Sequence, residues 1–129
     1  MNLLWGRIAV AALVAEVLGV AALAILVAIF GPGGWEASMP FAQRLGAWVG
    51  PISGSVLCLA GGYWVARGAR QARLANGAAM GIAGVILDLA IAFSGGAGLS
   101  ALLLASNAGR IVGGSIGGWI ASRGSSGAV

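Results

Sequence analysis

Three charged residues stand inside long apolar stretches of this sequence: Glu16, Asp88 and Arg110. A carboxylate kept from water can take a proton or a cation, and a guanidinium, which keeps its own proton, can pair with it. Two acids against one base leave one negative charge over. Arg110 is expected to pair with Asp88, with Glu16 open as a second partner. A carboxylate standing alone must be protonated or meet a cation, and Glu16 is the better candidate for that role. Two uses of the cluster stay open at this point, a transport or binding site and a clamp that aligns helices.

Other chemistry has little to work with. The sequence holds no histidine and a single cysteine, Cys58. That removes Ser-His and Cys-His nucleophilic pairs, imidazole metal or haem ligation, and any internal disulfide. The glycine-rich segments lack the preceding strand and the Lys-Ser/Thr ending of a phosphate loop. The expectation is a non-enzymatic protein with no metal site. Pigment or quinone contacts need no short motif, so a cofactor stays unassigned.

The elements that carry these charges follow from hydropathy. Hydrophobic residues make up 60% of the chain and charged residues 8%, and the mean hydropathy is +1.00. A soluble domain has roughly a quarter of its residues charged. Lipid is the solvent that fits. Four apolar runs, at about 8–30, 45–66, 74–93 and 99–121, are long enough for the roughly 30 Å hydrocarbon layer. They predict an all-α, polytopic membrane protein of four transmembrane helices arranged as two hairpins, one domain over 1–123 with a short polar tail at 124–129. Gly31-Pro32-Gly33-Gly34 stops the first helix, and Pro40-Phe41-Ala42-Gln43 is expected to start a short interfacial helix. Pro51 is placed in the first turns of the second span, where proline is best tolerated.

Arg7, Arg67, Arg70, Arg73 and Arg123 fall on one side of a four-span chain and Arg44 on the other. The positive-inside rule makes that side cytoplasmic, with N-in/C-in topology in a bacterial inner membrane. Trp5, Trp64 and Trp119 mark the same interface, Trp35 and Trp48 the opposite one. Arg67, Arg70 and Arg73 are read as facing lipid, against anionic headgroups. The net charge of +4 comes from few arginines, three of them, Arg67, Arg70 and Arg73, in one short loop between apolar runs, so a nucleic-acid partner is not expected.

At 1.5 Å per residue, Glu16 lies roughly 14 Å beyond Arg7, Asp88 roughly 22 Å beyond Arg73 and Arg110 roughly 20 Å from Arg123. Asp88 and Arg110 are thus level, with Glu16 about one turn shallower. Each charge shares its helix face with small residues. Gly77, Gly81 and Gly84 accompany Asp88; Ser106, Asn107, Gly113, Gly114 and Gly117 accompany Arg110; Ala9, Ala12 and Gly19 accompany Glu16. Gly109, Gly113 and Gly117, with Gly114 and Gly118, repeat the GxxxG spacing of closely packed membrane helices.

Leu13-Val14-Ala15-Glu16-Val17-Leu18-Gly19 resembles the first helix of the small multidrug resistance transporters, in which an Ala-Glu-Val-x-Gly stretch carries the carboxylate shared by protons and cationic drugs. That resemblance would give Glu16 the same role. The Lys and Gly-Phe after the family's first helix and its Ala-Tyr-Ala-x-Trp run in the third are absent here. A second likeness covers more of the chain: Gly61-Gly62, Ala66-Arg67, Ala69-Arg70, Asn76-Gly77 and Gly81, then Gly113-Gly114-Ser115-Ile116-Gly117-Gly118 with Ala121-Ser122-Arg123. Together these are similar to the YrzE-type small four-helix bacterial membrane proteins. Their activity is not assigned, so this resemblance implies architecture alone.

The leading expectation is an integral membrane protein that packs through small-residue faces, as an oligomer or as an accessory subunit of a larger membrane complex. The alternative is a small proton- or cation-coupled transporter using Glu16 with Asp88 and Arg110. A third reading is a lipid-binding module built on the arginine loop.

Overall fold

The computed structural model describes residues 2–124 as four α-helices: α1 (Trp5–Phe30), α2 (Trp35–Arg67), α3 (Arg73–Ser94) and α4 (Ala101–Arg123). The polar tail expected at 124–129 falls, from residue 125 onward, outside the described residues.

α1 ends where Pro32 forces the residue before it out of the helical region. Gly31 accordingly turns extended, at φ −73° and ψ 155°, while its N–H still closes on the Val27 carbonyl at 2.8 Å. Gly34, at φ +97°, is where glycine's freedom is needed, and α2 starts immediately after it. The Ser38 hydroxyl donates back to the Pro32 carbonyl at 2.7 Å and secures the turn.

α2 begins ten residues before the expected Leu45, and there is no separate interfacial helix at Pro40. Both prolines lie inside one helix of 33 residues. Pro40 falls in the second turn, near an exposed end, where only the Glu36 carbonyl loses its donor. Pro51, expected in the first turns, sits in the middle. An apolar packed environment tolerates such a proline when nearby hydroxyls join the hydrogen bonding. Here Ser55 donates to the Pro51 carbonyl at 2.8 Å, and Ser53 to the Gly50 carbonyl at 3.3 Å.

α4 opens on Ser100, whose side chain accepts the Leu103 N–H at 3.1 Å and so satisfies one of the free donors of the first turn. The other connections are as short as the sequence suggests, with Gly96 at φ +81° before α4 and Ala72 at φ +54° before α3.

α2 and α3 form the middle of the bundle, with α1 packed against both on one side and α4 against both on the other; the backbones of α1 and α4 do not meet. Hydrogen bonds bring the start of α1, the end of α2, the start of α3 and the end of α4 together. Asn76 accepts the Leu4 N–H at 2.8 Å, Arg7 donates to the Trp64 carbonyl at 2.8 Å, and Arg73 donates to the Ala121 carbonyl at 3.1 Å. One end of the bundle therefore carries most of the arginines.

Small residues set the helix spacing. A methyl group on Gly114 would stand 2.5 Å from the Gly77 carbonyl, one on Gly62 2.5 Å from the Gly114 carbonyl, and one on Gly81 2.6 Å from the Arg110 carbonyl. α4 thus lies backbone to backbone on α2 and α3. The larger apolar side chains, among them Leu13, Val17, Ile86 and Leu104, point outward and are more than half exposed on α1, α3 and α4. Water is a poor match for that surface. α1, α2 and α3 are each long and apolar enough to cross a membrane. α4 has comparable length but carries Ser106, Asn107, Arg110 and five glycines, and it does not reach the same hydropathy.

Candidate functional site

Arg110 leaves α4 toward the middle of the bundle and is 5% exposed. Its path runs over Gly54 of α2, where an added methyl would come 2.9 Å from the guanidinium carbon. Glycine at that position is what lets the side chain cross to the far side.

There the guanidinium divides between two acids on two helices. One terminal nitrogen donates to Glu16 Oε1 on α1, and the other to Asp88 Oδ1 on α3 at 2.9 Å. α1 and α4 share no backbone contact, and this side chain joins them across the bundle. The structure therefore brings Glu16, Asp88 and Arg110 into one cluster, and of the two alternatives left open for Glu16 it has the second partner of Arg110 rather than the lone carboxylate. With every member ionised, the cluster holds one more negative than positive charge.

Asn107, one turn before Arg110, completes the arrangement. Its Nδ2 donates to Asp88 Oδ2 at 3.0 Å and to the Leu103 carbonyl at 2.9 Å. Both Asp88 oxygens thus accept an N–H. Within the cluster two buried atoms are left without a hydrogen-bond partner among the described residues, Asn107 Oδ1 and Arg110 Nε. The sequence placed Asn107 on Arg110's small-residue face without giving it a role. The i, i+3 spacing of two buried polar residues on an apolar helix was the available signal. Cys58, fully buried on α2, lies beneath Gly84 within electrostatic reach of all three charges.

The cluster is not sealed on every side. A recess of about 250 Å³ runs between Gly50 and Pro51 of α2, Ser100 of the last connection and Ser106 of α4, and ends on Asp88 and Arg110. Its lining extends to Ala97 and Gly98 of the α3–α4 turn, opposite the arginine-rich end. The Asp88 side chain is 21% exposed, against 10% for Glu16. A second hollow, of about 290 Å³ between α1 and α2, is lined by Ala15, Leu18, Leu57 and Trp64 and holds no titratable group.

The glycines expected to pack helices are placed within the chain. Gly77, Gly81, Gly84, Gly113, Gly114, Gly117 and Gly118 are buried between helices, and Gly109 is half-buried beside Ser55. Of the arginines expected to face lipid, Arg67 and Arg70 are exposed, with Arg67 above the Tyr63 ring. Arg73 instead turns inward, donating to the Ala69 carbonyl at 2.9 Å as well as to Ala121 on α4.

The sequence reading missed Asn76, which is fully buried. Besides accepting from Leu4, it donates to the Asn2 carbonyl at 3.2 Å and fixes the start of α1 on α3. Among the described residues, no group of three His, Cys, Asp or Glu side chains is placed to hold a metal ion. Comparison with protein-family models, curated proteins and solved structures returned no match to this chain.

Proposed function

We propose that this chain is a small, non-enzymatic, multi-pass protein of a bacterial cytoplasmic membrane that couples proton or cation movement through Glu16, Asp88 and Arg110. In this reading it crosses four times, with both termini and the arginine loop inside. Three helices of sufficient length and hydropathy, and the outward-facing aliphatic side chains, support the membrane setting. α4, the polar member, would cross on the shelter of α2 and α3, which cover its glycine and arginine face. The gathering of Arg7, Arg67, Arg70 and Arg73 at one end supports the orientation.

The observation that carries the reading is one buried guanidinium shared by two carboxylates from two different helices. A clamp needs one acid per base. A second acid adds a charge that must be neutralised each time the cluster is dehydrated, and that requirement is the basis of ion coupling. The other expectation, an oligomer or accessory subunit packing through small-residue faces, is less well supported because those glycines are occupied inside the chain.

Reconstitution of the full chain in liposomes, with a pH-sensitive dye inside and an imposed potential outside, tests the proposal. Proton or cation flux should depend on the protein and fall at least tenfold in Glu16→Gln, with the variant still folded. Equal flux in wild type, Glu16→Gln and empty vesicles would reject it.

A further inference from the structure

The recess at the α3–α4 turn meets the cluster on one side only. It touches Asp88 and Arg110 but not Glu16. Its volume of about 250 Å³ is below the roughly 300–1,000 Å³ of pockets that hold drug-sized molecules. It has room for several waters at about 30 Å³ each. The serines and the Asp88 carboxylate along it provide polar partners that such waters require.

A metal cation is a poor occupant. Both Asp88 oxygens already accept N–H groups, from Arg110 at 2.9 Å and Asn107 at 3.0 Å, and the guanidinium at the base repels positive charge. A proton needs no coordination shell. It can be handed along water to a single oxygen.

We propose that the recess is a water-filled proton entry serving Asp88 from the α3–α4 end, so that Asp88 is the port and Glu16 the inner site. This deepens the transport reading and rests on it. A hydronium ion transfers its proton to an Asp88 oxygen, leaving a neutral carboxylic acid and a water molecule. The salt bridge to Arg110 is thereby lost, and the guanidinium keeps Glu16 as its sole carboxylate. The charged groups around Asp88 are Arg110 from α4 and, beyond it, Glu16 from α1; the Cys58 thiol of α2 lies within electrostatic reach. Asn107 is a positioning residue, holding the second Asp88 oxygen. The bulky organic cations implied by the first-helix likeness find no room here, and the species moved is the proton.

Two features of the sequence make a direct test possible. Asp88 is its only aspartate, and Cys58 its only thiol, which is fully buried. Ser106→Cys, Ala97→Cys and Gln71→Cys, placed respectively in the recess, at the α3–α4 turn and in the arginine loop, are made in the full chain. Each is treated with a membrane-impermeant thiol reagent in oriented vesicles. Ser106→Cys should react from the same side as Ala97→Cys, at least tenfold faster than from the Gln71→Cys side. Reaction from the Gln71→Cys side, or none once Ala97→Cys is fully modified, overturns the proposal. In protein labelled with carboxyl-¹³C aspartate, infrared spectra should show the Asp88 acid carbonyl growing on acidification from the α3–α4 side, before the opposite compartment changes pH. Growth that follows only the opposite compartment overturns it as well. If thiol and infrared results both hold while no flux is measured, the entry stands and the transport reading fails.

Discussion

Replacing Arg110 by methionine removes the shared cation while keeping an unbranched side chain over Gly54. Among the described residues, Glu16, 8% exposed, then loses its one side-chain donor, and Asp88 keeps Asn107 alone. Breaking a buried ion pair by deleting one partner costs about 3–5 kcal/mol, because the remaining charge has no counterpart. That is roughly a hundred- to several-thousand-fold in the folding equilibrium, at about 1.4 kcal/mol per decade. A neutral hydrogen bond between membrane helices averages only about 0.6 kcal/mol, so the two cases are separable. The triple variant Glu16→Gln/Asp88→Asn/Arg110→Met removes every charge together and should return to within about 1 kcal/mol of wild type. Unfolding in mixed micelles of mild detergent and rising SDS, read by tryptophan fluorescence, measures all three proteins. The deficit of Arg110→Met should shrink as pH falls, since protonated carboxyl groups no longer need the guanidinium. A single variant within about 1 kcal/mol of wild type would show that the cluster is hydrated or already neutral. A triple variant no better than the single would show that packing over Gly54, not charge, holds the centre together.

Two further outcomes follow from the packing. Gly114→Ala places a methyl 2.5 Å from the Gly77 carbonyl, so α3 and α4 must separate; about 1–3 kcal/mol of stability should be lost in the same unfolding assay, whereas Gly6→Ala, with nothing within 4 Å, should lose none. Asn76→Ala removes the acceptor for the Leu4 N–H, and hydrogen exchange at Leu4 should accelerate at least tenfold while exchange in the middle of α3 stays slow.

The helices were readable because hydropathy is a sum over many residues, and an error at one position hardly changes it. A boundary is most sharply readable where one residue decides the backbone. Pro32 fixes Gly31 in the extended region, so the end of α1 fell where expected, at Phe30. Pro40 and Pro51 do not decide in that way: the cost of an internal proline depends on how the surroundings accommodate its ring and the carbonyl left without a donor, which spacing along the chain does not reveal. α2 therefore began ten residues early.

The same distinction separates what was readable in the charge cluster from what was not. Counting 1.5 Å per residue from an arginine at each helix end puts Asp88 and Arg110 level, and they pair at 2.9 Å. The count left Glu16 a turn away because it assumes that the charge meets its partner across a direct helix contact. α1 and α4 have none. The long arginine side chain bridges the gap along a channel that exists only because residue 54 lacks a Cβ. Gly54 appeared in the sequence as one more small residue in a stripe, and nothing in its spacing distinguishes a glycine that admits a neighbouring backbone from one that admits a guanidinium. The two differ in consequence: alanine at Gly62 would push α4 off α2, whereas alanine at Gly54 would push the cation away from Glu16 and leave the helices in place. Spacing of small residues thus identifies the contact faces, but the pairing of charges across the bundle depends on which of those residues leaves its space to a side chain.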